Sequence, residues 1–418
     1  MTDTHGTGHD DGHGSGHDTG HGKAHAAGHG GDHSAGQGKE RSTRHSPRHT
    51  ARDTHTAAPG GISLAGWLRG TAAVIVLAVV LLPFFFVIYQ FTLSGTVPGE
   101  DDARFLLGLL GLPGGAIPGS PAGYRALSVL AAVPFYYGLP PLPLPNAPAG
   151  LPANFVQATA ALAFLSYLSL AGMLYAIYRV ARDRASQHAG PALLAAALLF
   201  VLCLYTQFCA LDPLAILLVT LGLYLLHNRY GFALLLLSAP ILNEKIAMVF
   251  ALWLTLRCIA SSADREALAF QWATAMAALL LYAGLIAFGH LPGTYYHLAP
   301  DTYLETLRSN LAALATPSGL LLNVLPIALL LALGLIGHLG GRHRMTPRTW
   351  GTLFRPVDLL MIPAMAVVGT AIELELEPTQ LFQVGRIVLH AAPLFVIPAA
   401  AVLFRRIVGM PAAESHAP

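Results

Sequence analysis

Between Thr71 and Phe404 the chain passes through one apolar run after another. Each is about 20 residues long, enough to cross a hydrocarbon core of about 30 Å at about 1.5 Å rise per residue. No water in that core can satisfy backbone amides and carbonyls, so they must pair within their own segment, and runs of this kind are helices. The charge content agrees: 54% of the 418 residues are hydrophobic and 11% charged, against about 25% charged in an ordinary soluble domain. The expected class is all-α, a polytopic transmembrane helical bundle whose main solvent is lipid. Spans are predicted over 71–93, 153–178, 191–209, 213–227, 268–289, 318–338, 357–372 and 382–404, about eight full crossings. Residues 231–257 add a pair of short helices, expected to break near Pro240 with Asn243, Glu244 and Lys245 at the tip.

The first 60 residues follow other rules. His5, His9, His13, His17, His21, His25, His29 and His33 recur at four-residue spacing, and twelve glycines fall within the first 40 residues. On a helix these histidines would share one face, but each glycine disfavours a helix by about 1 kcal/mol relative to alanine. The expectation is a disordered His/Gly-rich tail over 1–60, a transmembrane domain over 61–408 and a short tail over 409–418. Neutral imidazole suits zinc, nickel and copper, so the eight histidines are candidate metal ligands; a solvating tail whose repeat grew by slippage is the plainer alternative. The full-length protein is expected to bind an immobilised nickel column without an added tag. A variant with these eight histidines replaced by serine should pass through, and equal retention of the two would remove the tail as a metal-binding segment. No early apolar stretch precedes Thr71, so the first span is expected to be an uncleaved anchor. Cys203, Cys209 and Cys258 lie in or at the ends of apolar segments without C-x-x-C spacing and are expected to be packing residues.

A net charge of +2 gives no ground for a nucleic-acid partner, and the distribution of charge says more. If the N-terminus is inside, the cytoplasmic loops and span ends collect Arg179, Arg182, Arg184, Arg229, Arg257, Arg265, Arg342, Arg344, Arg348, Arg355, Arg405 and Arg406. The outer side receives Arg104, Arg125, Lys245 and Arg308, with Arg386 just inside the last span. Twelve against five fixes the expected orientation, because short loops rich in Lys and Arg stay in the cytoplasm. The chain is therefore expected to be a multi-pass protein of the plasma (inner) membrane with both termini cytoplasmic. Trp67, Trp253, Trp272 and Trp350 fall near the same boundary, where tryptophans anchor at the interface. Residues 94–152 form one long outer loop; its apolar section Ala126–Leu139, with Pro134 inside, is too short to span unaided. It ends in the stiff connector "PPLPLPNAPAGLP".

Ten of the fifteen acids after residue 60 face outward in this topology: Glu100, Asp101, Asp102, Asp212, Glu244, Asp301, Glu305, Glu373, Glu375 and Glu377. Several charges sit at depth. Glu244 and Lys245 end two apolar helices, Asp212 opens a span after a tight turn, and Arg386 lies inside an apolar helix. An ionised side chain at the bilayer midplane costs about 2.5–3.5 kcal/mol on insertion scales and usually faces a cavity or a partner. Plainer readings stand beside that one. Glu244 and Lys245 can form a charged surface tip, Arg386 can snorkel to the headgroups, and Asp212 and Asp358 can cap helices. His390 reads as a hydrogen-bonded packing residue, and Tyr295, Tyr296 and Tyr303 as interface markers.

The order of segments resembles a known family. "GEDDARFLL" opens the first outer loop and "AGYRALSVLAAVPF" continues it. Then come "ALDPLAILLVTLGLYLLHNRYGFALLLLSAPILNEKIAMVFALWL" and, late in the chain, "ELELEPTQLFQVGRIVLHAAPLF". Over residues 65–406 this is similar to the GT-C superfamily, multi-span glycosyltransferases that take a sugar from a polyprenyl-phosphate carrier on the outer side of the membrane. The resemblance implies that Asp101 or Asp102 is the catalytic base or a metal ligand. Asp212 and Glu244 join the catalytic acids, Tyr124 and Arg125 take the family's tyrosine–arginine pair, and Arg386 grips the carrier phosphate. Where the family's acid at the helix tip is often preceded by arginine, this chain has Asn243, and its basic residue follows as Lys245. The implied partners are a lipid-linked sugar donor, membrane lipids and an acceptor in the cell envelope that is glycan, lipid or protein. No cofactor is required by the residues, although a divalent cation between the acids stays open.

The residue types suit this chemistry on their own terms. A carboxylate must take the acceptor's hydroxyl proton, and cations must meet charge growing on the leaving phosphate. The rival reading is a secondary transporter or metal-ion carrier with a metal-buffering tail. Against it, the spans lack the paired His and Asp that a divalent-ion path needs, and no internal repeat is evident. A noncatalytic membrane partner is a third reading.

Overall fold

The structure, a computed structural model, describes residues 64–93, 100–117, 125–141, 151–185, 187–203, 211–288, 303–341, 355–373 and 384–408, all within the unit Gly61–Pro418. The eight tail histidines, Tyr124, Cys209, Tyr295, Tyr296, Asp301, Glu375 and Glu377 lie outside the described residues. Among the described residues every regular element is helical. Four helices are long and apolar enough to cross a membrane: Leu68–Gln90, Ala153–Arg184, Ser262–Leu285 and Pro317–Gly340. Ala189–Cys203, Asp212–Leu225, Arg229–Leu242 and Pro356–Thr370 are shorter apolar helices.

The long helix α5 (Ala153–Arg179) is buried along most of its length, because α1 (Leu64–Leu93), α2 (Glu100–Leu109), α6 (Ala189–Cys203) and α7 (Asp212–Leu225) all pack on it. On α1 the inward side interleaves aromatics with α5: Phe85 meets Phe164 edge-on at 5.6 Å, and Tyr167 Oη donates to the Ala78 carbonyl. The other side of α1 leaves Ile75, Val76, Val79 and Val80 exposed, a surface that suits lipid rather than water. The described residues between α1 and α5 are largely helical. In α2, Ala103, Leu106 and Leu107 recur at helical spacing and bury against Ala158, Ala161 and Leu162 of α5. Two short helices, α3 (Ala126–Leu130) and α4 (Val133–Gly138), complete this layer. Gln157 of α5 holds the end of α4 by donating to the carbonyls of Tyr136 at 3.0 Å and Leu139 at 2.8 Å.

Two breaks shape the site. The helix pair α8 (Arg229–Leu242) and α9 (Glu244–Ala260) parts at Asn243, at the expected tip, with Pro240 inside the last turn of α8. Asn243 takes an extended conformation, φ −166° and ψ 117°, and its side-chain oxygen accepts from Lys245 N at 3.1 Å. The break is thus an asparagine cap that starts α9. The last predicted span is two helices, α14 (Val384–Leu389) and α15 (Ala392–Val408). Pro393 has no N–H to offer the carbonyl one turn back and its ring crowds it. Accordingly His390 N and Ala391 N turn to the carbonyls of Ile387 and Val388, at 3.2 and 3.0 Å.

Between these breaks run α10 (Ser262–Phe288), packed on α8 and α9, then α11 (Tyr303–Leu314), α12 (Leu325–Gly341) and α13 (Met361–Glu373); α15 lies between α6 and α12. Trp253 is fully buried within this bundle, so it is a core residue and not the interfacial anchor its position suggested.

Candidate functional site

Four helix ends bring charged side chains together. Asp212 is the first residue of α7; the residue ahead of it, Leu211, makes no side-chain cap. A carboxylate here sits where the helix dipole favours negative charge, but Asp212 does not cap the helix. Its oxygens face three cationic or titratable groups instead: Lys245 Nζ lies 3.2 Å from Oδ1, Arg386 Nε donates to Oδ2, and His390 Nε2 lies 3.4 Å from Oδ1. Asp212 is 1% exposed and Lys245 8%. Arg386 and His390, four residues apart on one helical face, reach Asp212 together because α14 ends at the Pro393 break.

Glu244 and Lys245 are neighbours in sequence with different partners. While Lys245 turns to Asp212, Glu244 receives a forked pair from Arg125, Nε to Oε2 at 2.9 Å and Nη2 to Oε1. A guanidinium suits this two-point grip. Three residues on, Ser128 Oγ donates to the Leu242 carbonyl, the last of α8. The short helix α3 therefore holds both sides of the Asn243 break. This accounts for the charged pair inside an apolar run: each member is half of an ion pair with a different element.

The paired groups carry three cations, Arg125, Lys245 and Arg386, against two acids, Asp212 and Glu244. A buried ion pair gives little net stabilisation once its desolvation is counted, so stability alone does not account for this concentration of charge. Arg125 and Arg386 keep 22% and 23% of their side chains exposed. Asp102, half-buried near the start of α2, borders the same cluster. Burial pushes its carboxyl up to about 6, against the pull of Arg125 and Arg386 and with Asp101 and Asp212 adding to the rise. Asp101 is exposed.

The donors do not fit a divalent cation. Both oxygens of Asp212 and both of Glu244 face cationic side chains, and among the described residues no group of three His, Cys, Asp or Glu side chains could hold a metal ion. The arrangement suits an anion instead.

A second buried charge sits twelve residues along α9 from Lys245, about 18 Å away at 1.5 Å per residue. Arg257 donates to Asp358 through Nε at 2.9 Å and Nη2 at 2.7 Å, while Trp253 Nε1 and Arg355 N add bonds to the same carboxylate at 3.0 and 2.6 Å. Asp358 does cap its helix, through the Arg355 N–H, and in addition neutralises a guanidinium that is 1% exposed. Arg257 is thus inside the fold rather than in a cytoplasmic loop.

Sequence reasoning missed Ser128, the Asn243 cap and the approach of His390 to Asp212; His390 is otherwise the buried, hydrogen-bonded packing residue expected. The available signals were the three-residue step from Arg125 to Ser128 and the four-residue step from Arg386 to His390, each placing two polar groups on one helix face. No protein-family model, no curated protein and no solved structure matches the chain.

Proposed function

We propose that this chain is an integral membrane glycosyltransferase of the GT-C type, moving a sugar from a polyprenyl-phosphate donor to an acceptor on the outer side of the plasma (inner) membrane. One observation carries the reading: a cluster in which Arg125, Lys245 and Arg386 meet Asp212 and Glu244 has a half-buried carboxyl of raised pKa, Asp102, on its border. Together these supply a phosphate grip and a proton acceptor. The shorter apolar helices count as crossings in this reading, with both termini cytoplasmic, as the Arg distribution favours.

In the reaction the bond from the sugar's anomeric carbon to the phosphate oxygen breaks and its electron pair stays on that oxygen. The acceptor hydroxyl oxygen bonds to the same carbon and its proton passes to Asp102. Arg386, Lys245 and Arg125 meet the charge that grows on the phosphate, in surroundings where such contacts outweigh their strength in water. Asp212 and Glu244 act as positioning residues, since their oxygens hold the cations in place.

The test is transfer by the purified protein in vesicles, supplied with a labelled polyprenyl-phosphate sugar and an extract containing acceptors. Wild-type protein is expected to transfer label, and Arg386→Gln to lose about 10²–10³-fold of the rate while keeping a monodisperse elution profile. Absence of transfer, with divalent metal flux across the same vesicles, would overturn the reading in favour of a carrier.

A further inference from the structure

At the Asn243 break the backbone finds its partners inside the fold. Asn243 N donates to the Ala239 carbonyl at 2.8 Å, the Asn243 carbonyl accepts from Ile246 N at 3.1 Å, and the Leu242 carbonyl accepts from Ser128 Oγ. The side-chain oxygen of Asn243 accepts from Lys245 N at 3.1 Å. That bond fixes which way the amide faces, since turned over it would set an N–H₂ against an N–H. What remains is Asn243 Nδ2, which carries two hydrogens to donate. It is buried without a hydrogen-bond partner among the described residues, on a residue that is 1% exposed.

Capping does not need those hydrogens, because serine and aspartate start a helix about as well as asparagine through an oxygen alone. A buried donor left unmade is costly and uncommon in native folds, so the N–H₂ calls for an acceptor that these residues do not supply. Its position says which kind. Through the bond to Lys245 N the amide lies at the first turn of α9, where backbone N–H groups and the helix dipole favour an anion. The next two side chains, Glu244 and Lys245, are the ones that join Arg125 and Asp212. The amide is therefore at the same helix end as the charged cluster.

We propose that Asn243 Nδ2 donates a hydrogen bond to a phosphate oxygen of the lipid carrier, as a further substrate-binding residue. This rests on the reading of the site as a polyprenyl-phosphate sugar transferase. Where arginine and lysine reach the phosphate on long side chains, this donor is short, neutral and held by its own oxygen, so it sets the orientation of the group it binds. Phosphate oxygens are present both in the sugar-bearing donor and in the spent carrier. Asn243 thus acts on the binding of both and little on the chemical step.

The experiment is titration calorimetry of the full-length protein in detergent, with farnesyl phosphate as probe and farnesol as its counterpart without phosphate. Wild-type protein is expected to bind farnesyl phosphate more tightly than farnesol. Asn243→Ser keeps a cap oxygen and removes the N–H₂. It is expected to unfold at the temperature of wild type and to weaken farnesyl phosphate binding by about 10–100-fold, the usual worth of a hydrogen bond to a charged group, with farnesol binding unchanged. Asn243→Asp keeps the cap and the shape of the side chain but puts an oxygen where the N–H₂ was, and is expected to lose at least as much. In the vesicle assay Asn243→Ser should raise KM for the donor with kcat little changed. Equal binding of farnesyl phosphate by wild type and Asn243→Ser, or a loss that is the same for farnesol, overturns this inference and leaves the transferase reading in place. So does loss of monodisperse protein in both variants, which would show that the fold itself uses the N–H₂. Wild-type protein that binds the two probes alike overturns the phosphate grip on which that reading depends, and this inference with it.

Discussion

Asp358→Asn is expected to lower the stability of the protein by about 3–5 kcal/mol, the cost of leaving a buried charge without its partner. The Asp358 carboxylate accepts four hydrogen bonds, two from Arg257 and one each from Trp253 Nε1 and Arg355 N. An asparagine offers one oxygen for these donors and turns an amide N–H₂ towards the rest. Arg257, which lies over the Trp253 ring at 4.5 Å, then keeps a full positive charge in a site closed to water. The measurement is thermal unfolding of the detergent-purified variant beside wild type, read by loss of the monodisperse species after heating. Replacing both partners, Arg257→Met with Asp358→Leu, is expected to recover most of the loss, because a buried ion pair exchanged for apolar side chains of similar volume is often neutral or better. An Asp358→Asn protein that melts with wild type would show that this pair does not hold α9 to the start of α13.

How much of this was legible in the sequence depends on the range of the interaction. The helical class followed from apolar length, because backbone pairing within one segment needs no knowledge of neighbours. Glu244, Lys245, Asp212 and Arg386 could be singled out by the cost of their apolar surroundings. Their partners could not be read. Arg125 meets Glu244 across 119 positions, and Arg386 meets Asp212 across 174; no local periodicity encodes such pairs. The same limit explains the errors. Arg257 and Trp253 lie near a predicted boundary and were read as loop and anchor, although Asp358, about a hundred residues on, makes their burial affordable. The break in the α8–α9 pair, expected near Pro240 with Asn243 at its tip, is a local signal and lies there. In the structure the chain tolerates a proline in the last turn of α8 and turns at Asn243, whose side chain can replace a missing backbone partner. The predicted span over 382–404 is two helices, because Pro393 lies one turn beyond Leu389 and ends α14 there.

Asp102→Asn is expected to reduce sugar transfer by about 10²–10⁴-fold, the usual worth of a positioned general base, while Asp101→Asn, on an exposed side chain, changes it little. The pH dependence follows from the same carboxyl. Burial raises Asp102 to about 6, and only the ionised form accepts a proton, so wild-type transfer should fall as pH drops through that value. Stability runs the other way. A folded-state pKa above the ordinary carboxylate value means that the folded protein binds more protons than the unfolded chain between that value and about 6, and stability therefore declines as pH rises across this window. Asparagine carries no charge to desolvate. At pH 8 the variant is expected to unfold at the same temperature as wild type or higher, although its transfer is lost. A residue kept for the fold would show the opposite pairing, and full transfer by Asp102→Asn, or a larger loss in Asp101→Asn, would remove Asp102 as the base. An inactive but more stable variant would place the cost of holding this acid beside Arg125 and Arg386 on the side of catalysis.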